Sequence, residues 1–225
     1  MANDTGSNIG NNKQLLQNLK NAAKSLKVAS VWATTNDDVD ISDDFIFEMF
    51  VLFKLIIDIK NHYTIEYVSG NGEKKHAFPK KPANKLDRPF FIIKENNNII
   101  CQICAGTRIR DIWDSPKAPD ISFQLASSSN NPDYTEVKMI WDAKYRKNPN
   151  KRITSHEVSE FGRWLDLLEV KHCTPFLIMN ELHRLNGNIL ITNGKESTEP
   201  NSERNRLGIK ECSSFYPGKR FNVQP

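Results

Sequence analysis

Between residues 42 and 60 the chain reads SDDFIFEMFVLFKLIIDIK. The spacing predicts a helix, and one that is apolar on nearly every side. Such a helix lies deep in a fold, with other elements covering more than one of its faces. Ser42 can cap its first turn, and Asp43 and Asp44 suit the positive end of its dipole. Glu48 and Lys54 interrupt the apolar run, which is too short to span a bilayer. No membrane partner is expected. Glu48 shares a face with Phe45, Leu52 and Leu55, so it points toward the core side. An ionised carboxylate there is costly unless it pairs with a Lys or Arg or binds a cation.

The rest of the chain supplies what could surround this helix. Residues 13–31 carry Leu15, Leu16, Leu19, Ala22, Ala23 and Leu26 at helical spacing, and residues 34–40 read as a linker. Strands are expected at 63–68, 90–93, 99–104, 119–125 and 136–146. A second amphipathic helix follows, capped by Thr154 or Ser155, with Val158, Phe161, Leu165 and Leu168 on one face. Residues 174–179 form an apolar strand, and 188–192 suggest one more. This order implies an α/β fold with a mixed central sheet flanked by helices. We expect a polar N-terminal extension with one helix (1–40), a core (41–193) and a polar C-terminal tail (194–225).

Chemistry concentrates where two of these strands meet. Pro119-Asp120 opens one, and Asp142-Ala143-Lys144 closes the next. Residues two apart on a strand share a face, so Asp142 and Lys144 project together, with Lys138 and Ile140. Val137, Met139 and Trp141 take the other face. Asn131 lies midway between Asp120 and Asp142, so a hairpin centred there sets the two acids opposite each other. Their Cβ atoms would then be about 4.5–5.5 Å apart. Two carboxylates so placed repel, and a divalent cation between them removes the repulsion. Mg²⁺ favours such oxygen ligands. Lys144 beside it could orient a water or stabilise charge on a phosphate oxygen.

Other D/E-x-K triplets occur, and Glu136-Val137-Lys138 is the main competitor because it shares Asp142's face. A salt-bridged hairpin without catalysis is the plain alternative for the whole set. For Glu48 the alternative is a buried ion pair.

At these residues the sequence resembles the PD-(D/E)xK nuclease superfamily, the restriction-endonuclease-like fold. Glu48, Pro119-Asp120 and Asp142-Ala143-Lys144-Tyr145 carry the resemblance, which covers roughly residues 42–180. It implies an αβββαβ core and a Mg²⁺-dependent DNA endonuclease, with Mn²⁺ able to substitute. Asp120, Asp142, the Ala143 backbone carbonyl and Glu48 would hold the metal, and Lys144 would handle the water. The Asp-Ala-Lys-Tyr-Arg wording looks like restriction and anti-phage defence nucleases. A homodimer or a larger defence complex would then be the working form. The alternatives left open are a catalytically inactive binding module of the same fold and an RNA-directed nuclease.

The net charge of +4 permits a polyanionic partner without demanding one. Basic loops at 74–88 and 147–152 could track a phosphate backbone or be ordinary solvated surface. Glu160 is a further candidate on the second helix, with His156, Glu157 and Arg163 near it. Trp113, Trp141 and Trp164 read as core. Cys101 and Cys104 fall on opposite faces of a strand and could not share a zinc ion. Four scattered cysteines and no apolar leader suggest a reducing, cytoplasmic setting. No P-loop motif is present, so an ATP-driven step would need another subunit.

Overall fold

The structure is a computed structural model that describes residues 16–17, 19–24, 26, 42–71, 76–171 and 187–216. Its frame is a seven-stranded mixed sheet in the order β1-β2-β3-β6-β7-β8-β9. The strands are β1 (Thr64–Val68), β2 (Phe90–Glu95), β3 (Asn98–Ala105), β6 (Ile121–Leu125), β7 (Val137–Lys144), β8 (Asn188–Thr192) and β9 (Ile209–Cys212). From β1 to β7 neighbours are antiparallel, while β7, β8 and β9 run parallel. A small separate hairpin pairs β4 (Ile109–Arg110) with β5 (Pro116–Lys117).

The apolar helix is α1 (Asp43–Lys60), and its first turn is capped by Ser42, whose Oγ accepts from the Phe45 N–H at 3.2 Å. It covers one face of the sheet, where Phe47, Phe50 and Leu52 meet Phe91, Ile103, Phe123 and Trp141. Leu19, Ala22 and Ala23 of the N-terminal helical segment are buried in the same core. The opposite face is covered by α2 (Ser155–Leu167), through Val158, Phe161 and Leu165 against Ile140 and Leu190. Thr154 caps α2 in a reciprocal capping box with Glu157. Both helix starts follow from short polar side chains placed where the first N–H groups lack partners.

Three features depart from the sequence reading. The segment from Gly194 is more than a polar tail: it supplies α3 (Asn201–Arg206) and β9, and it buries Phe215 in the α1 core. Val137 lies in the α2 core, not beside Met139 and Trp141, because the β6–β7 register shifts between Phe123 and Gln124. The bulge adds one residue to β7 and turns Val137 to the other side. Trp113 is 76% exposed and Trp164 only partly buried, so Trp141 alone of the three is core. Five strands of the large sheet precede α2, as the spacing predicts, two more than in the minimal αβββαβ order that the resemblance implies. The strand expected at 174–179 lies outside the described residues.

Between β2 and β3 the chain turns at Asn96 and Asn97, with φ of 48° and 69°. Two successive positive φ angles match the twist of a tight hairpin, and asparagine tolerates them better than most residues. No described helix is long and apolar enough to cross a membrane.

A candidate acidic centre at the end of the β6–β7 hairpin

The hairpin register brings the two predicted acids together. Ile121 pairs with Trp141, and the next step toward the strand ends sets Asp120 against Asp142. The Ala143 N–H donates to Asp120 Oδ2 at 2.7 Å, which pins that carboxylate to the edge of β7. Lys144 Nζ meets Asp142 Oδ2 at 2.7 Å. Asp142 is 7% exposed, and the Lys144 side chain is 27% exposed. Glu48, reaching in from α1, is close enough to interact electrostatically with Asp120, Asp142 and Lys144. All four residues singled out from the sequence therefore share one site.

The electrostatics are those of too much negative charge in too little water. Burial pushes Glu48 up to about 7, and repulsion from Asp142 and Asp44 adds to this, against the pull of Lys144. Burial also drives Asp120 well above the ordinary carboxylate range, helped by Asp142 and Glu48 and opposed by the Ala143 N–H. For Lys144, burial alone would lower the ammonium's pKa. Asp142, with Asp120 and Glu157 behind it, overcomes this and holds it above the usual lysine value. The site thus has two carboxyl groups, Glu48 and Asp120, that resist ionisation and an amine that resists neutralisation.

This donor set suits a hard divalent cation. Asp120, Asp142 and the Ala143 carbonyl offer oxygens, and a cation would relieve the repulsion that raises the acids. Among the described residues no group of three or more His, Cys, Asp or Glu side chains is placed to hold a metal ion. An ion there would rest on few protein oxygens and keep water ligands, the usual habit of Mg²⁺.

The competing triplet is used otherwise. Glu136 accepts from the Ser129 N–H at 2.5 Å, from Ser129 Oγ at 3.0 Å and from the Asp133 N–H at 3.1 Å. It ties the loop together and does not join Asp120. Glu160 and His156 are exposed on α2, whereas Glu157 forms an ion pair with Arg146 and adds to the field at Lys144. Cys101 and Cys104 are both buried, Cys101 in the α1 core and Cys104 on the face toward Lys85.

Two positioning residues went unnoticed in the sequence. Asn193 clamps the segment after Lys144: its Oδ1 accepts from the Arg146 N–H at 2.7 Å, and its Nδ2 donates to the Arg146 carbonyl at 2.9 Å. Thr192 Oγ1 donates to the Lys144 carbonyl at 2.7 Å. The only signal was a Thr-Asn pair closing the apolar run NILI, which many strands share.

No family model matches the chain, and no curated protein or solved structure does either.

Proposed function

We propose that this protein is a divalent-metal-dependent nuclease that hydrolyses phosphodiester bonds in DNA. The single observation that carries the reading is the opposition of Asp120 and Asp142 across one hairpin, with Lys144 Nζ 2.7 Å from Asp142. The parallel crossover β7-α2-β8 beside that hairpin, and α1 lending Glu48, support a restriction-endonuclease-like arrangement. A cation held there would supply charge to offset the negative charge that develops on the reacting phosphate. Lys144 presents a permanently charged amine toward the same spot, where it can orient a water or donate to a phosphate oxygen. Glu48, which interacts electrostatically with both aspartates, would assist at the metal. The exposed cations Lys147, Lys151 and Arg152 follow Lys144 directly and suit contact with a phosphate backbone. A restriction or anti-phage role belongs to the same proposal.

The test is a plasmid digest with Mg²⁺, Mn²⁺ or EDTA, run beside a structured RNA. Metal-dependent nicking that disappears in Asp142→Asn and Lys144→Ala, both folded, is the expected result. Equal cutting by those variants would discard the centre. RNA cleavage alone would redirect the substrate.

A further inference from the structure

A pocket of about 430 Å³ is lined by Pro82, Arg108, Pro116, Lys117, Trp164 and, two residues before Asp120 in the chain, Ala118. Its volume falls within the range of sites that hold small organic groups. The walls are two prolines, an alanine and the Trp164 indole, a lining suited to a flat apolar surface. Lys117 is already paired, its Nζ 2.8 Å from Asp111 Oδ2. Arg108 is exposed, and among the described residues its guanidinium has no hydrogen-bond or ion-pair partner. The pocket therefore combines an apolar slot with one uncommitted cation.

Its wall is coupled to the centre by backbone. Gly106 N–H donates to the Asp120 carbonyl at 3.1 Å, Ala83 N–H to Gly106 O at 3.1 Å, and Arg108 N–H to Ala83 O at 2.8 Å. Ala118 lies two residues before Asp120, and Trp164 stands on α2, which covers the sheet face that Ile140 shares with Asp142. A ligand in the pocket would thus lie on the side of the sheet that Asp142 shares with Ile140. The same β4–β5 hairpin that supplies Pro116 and Lys117 also carries the exposed Trp113 in its connecting loop.

We propose that this pocket takes an unstacked base of the nucleic-acid strand whose phosphate lies at Asp120 and Asp142, with Trp164 stacking on the base and Arg108 contacting an adjoining phosphate. This rests on the nuclease reading and narrows its substrate to polynucleotides with locally unpaired structure. Stacking on an indole does not depend on which base is present, and guanidinium contact with phosphate is equally indifferent to sequence.

The experiment measures fluorescence anisotropy of one labelled oligonucleotide, single-stranded and as a blunt duplex, with full-length protein in EDTA. Cleavage is thereby excluded from the readout. The single strand should bind more tightly. Trp164→Ala should weaken it about tenfold, the loss expected for one stacked base, while Trp164→Phe keeps most of the affinity. Arg108→Ala, at an exposed position that folding does not need, should weaken binding and lower the salt dependence by roughly one phosphate contact. Equal affinity for both forms, or single-strand binding unchanged in both Trp164→Ala and Arg108→Ala, overturns the pocket assignment. The plasmid digest keeps the two proposals apart. Cutting without any effect of these variants on binding removes the pocket alone. A variant-sensitive preference without cutting removes the hydrolytic function and leaves the pocket.

Discussion

Two lysines withdrawn from bulk water meet opposite fates in this molecule. Lys85, 2% exposed, is held by neutral oxygens: Ser128 O at 3.2 Å, Ser128 Oγ at 3.1 Å and Ser129 O at 3.1 Å, with the Phe90 ring 5.2 Å away. Burial lowers its proton affinity, and Cys104 and Glu136 offset this only in part. Lys144 meets carboxylates, and its proton affinity is raised. Dipoles can satisfy an amine's geometry without compensating its charge, whereas opposed charges do both. Lys85 is thus a latch between the 82–88 loop and the 127–129 loop. Lys144 is a charge held in readiness at an acidic cluster.

A buried polar file starts at the latch and runs toward that cluster. Ser128 Oγ donates to Gln124 Oε1 at 2.8 Å, and Gln124 Nε2 to Ser122 Oγ at 3.0 Å. Ser122 lies two residues after Asp120, the residue set against Asp142, and alternation puts both on one face. The contrast therefore lies along a single strand.

Substitutions can break this comparison. The largest effect is expected on cutting: Lys144→Ala should reduce it by about a hundredfold to a thousandfold, the usual loss when a charge-stabilising donor is removed. Its melting temperature should stay near wild type. Lys85→Ala should do the reverse. It leaves buried carbonyls without donors, at about 1–3 kcal/mol in urea unfolding, with cutting per folded molecule unchanged. If Lys85→Ala lost activity without losing stability, the latch and the centre would have to be treated as one unit.

The acids give a pH signature. Glu48's proton affinity is higher folded than unfolded, so its contribution to stability is complete below about pH 4.5. It is lost as the pH rises to about 7. Thermal melts of metal-free protein should show this decline, Glu48→Gln should flatten it, and Mg²⁺ should restore stability more at pH 8 than at pH 5. A smaller effect is expected at the α2 cap. Thr154→Ala should cost about 1 kcal/mol and leave cutting close to normal, since Glu157 retains Arg146.

Much of the fold could be read from the chain because its strongest signals were local. The all-round apolar helix, the Ser42 and Thr154 caps and the Asn96-Asn97 turn each announce themselves within a few residues. Asp120 and Asp142 were placed by symmetry about Asn131, and the bulge at Phe123/Gln124 left that end of the hairpin in register. The same bulge defeated the prediction for Val137, since one extra residue reverses a side that alternation alone assigns. Lys85 was hidden in a run of lysines whose neighbours Lys80 and Lys81 are exposed. Its burial depends on Ser128, 43 residues away. β9 and the Asn193 clamp escaped for a like reason, because parallel pairing is earned by distant partners and leaves short polar stretches looking idle.

That clamp has a consequence for how the protein comes into being. Lys144 and the backbone after it are tethered by Thr192 and Asn193, which are synthesised 48 and 47 residues later than their partners. Both acids leave the ribosome before the residues that hold the backbone of Lys144 and Arg146 have been made. Assembly of the centre therefore waits on translation well past the α2 helix, and a nascent chain lacks the finished cluster until that stretch has docked.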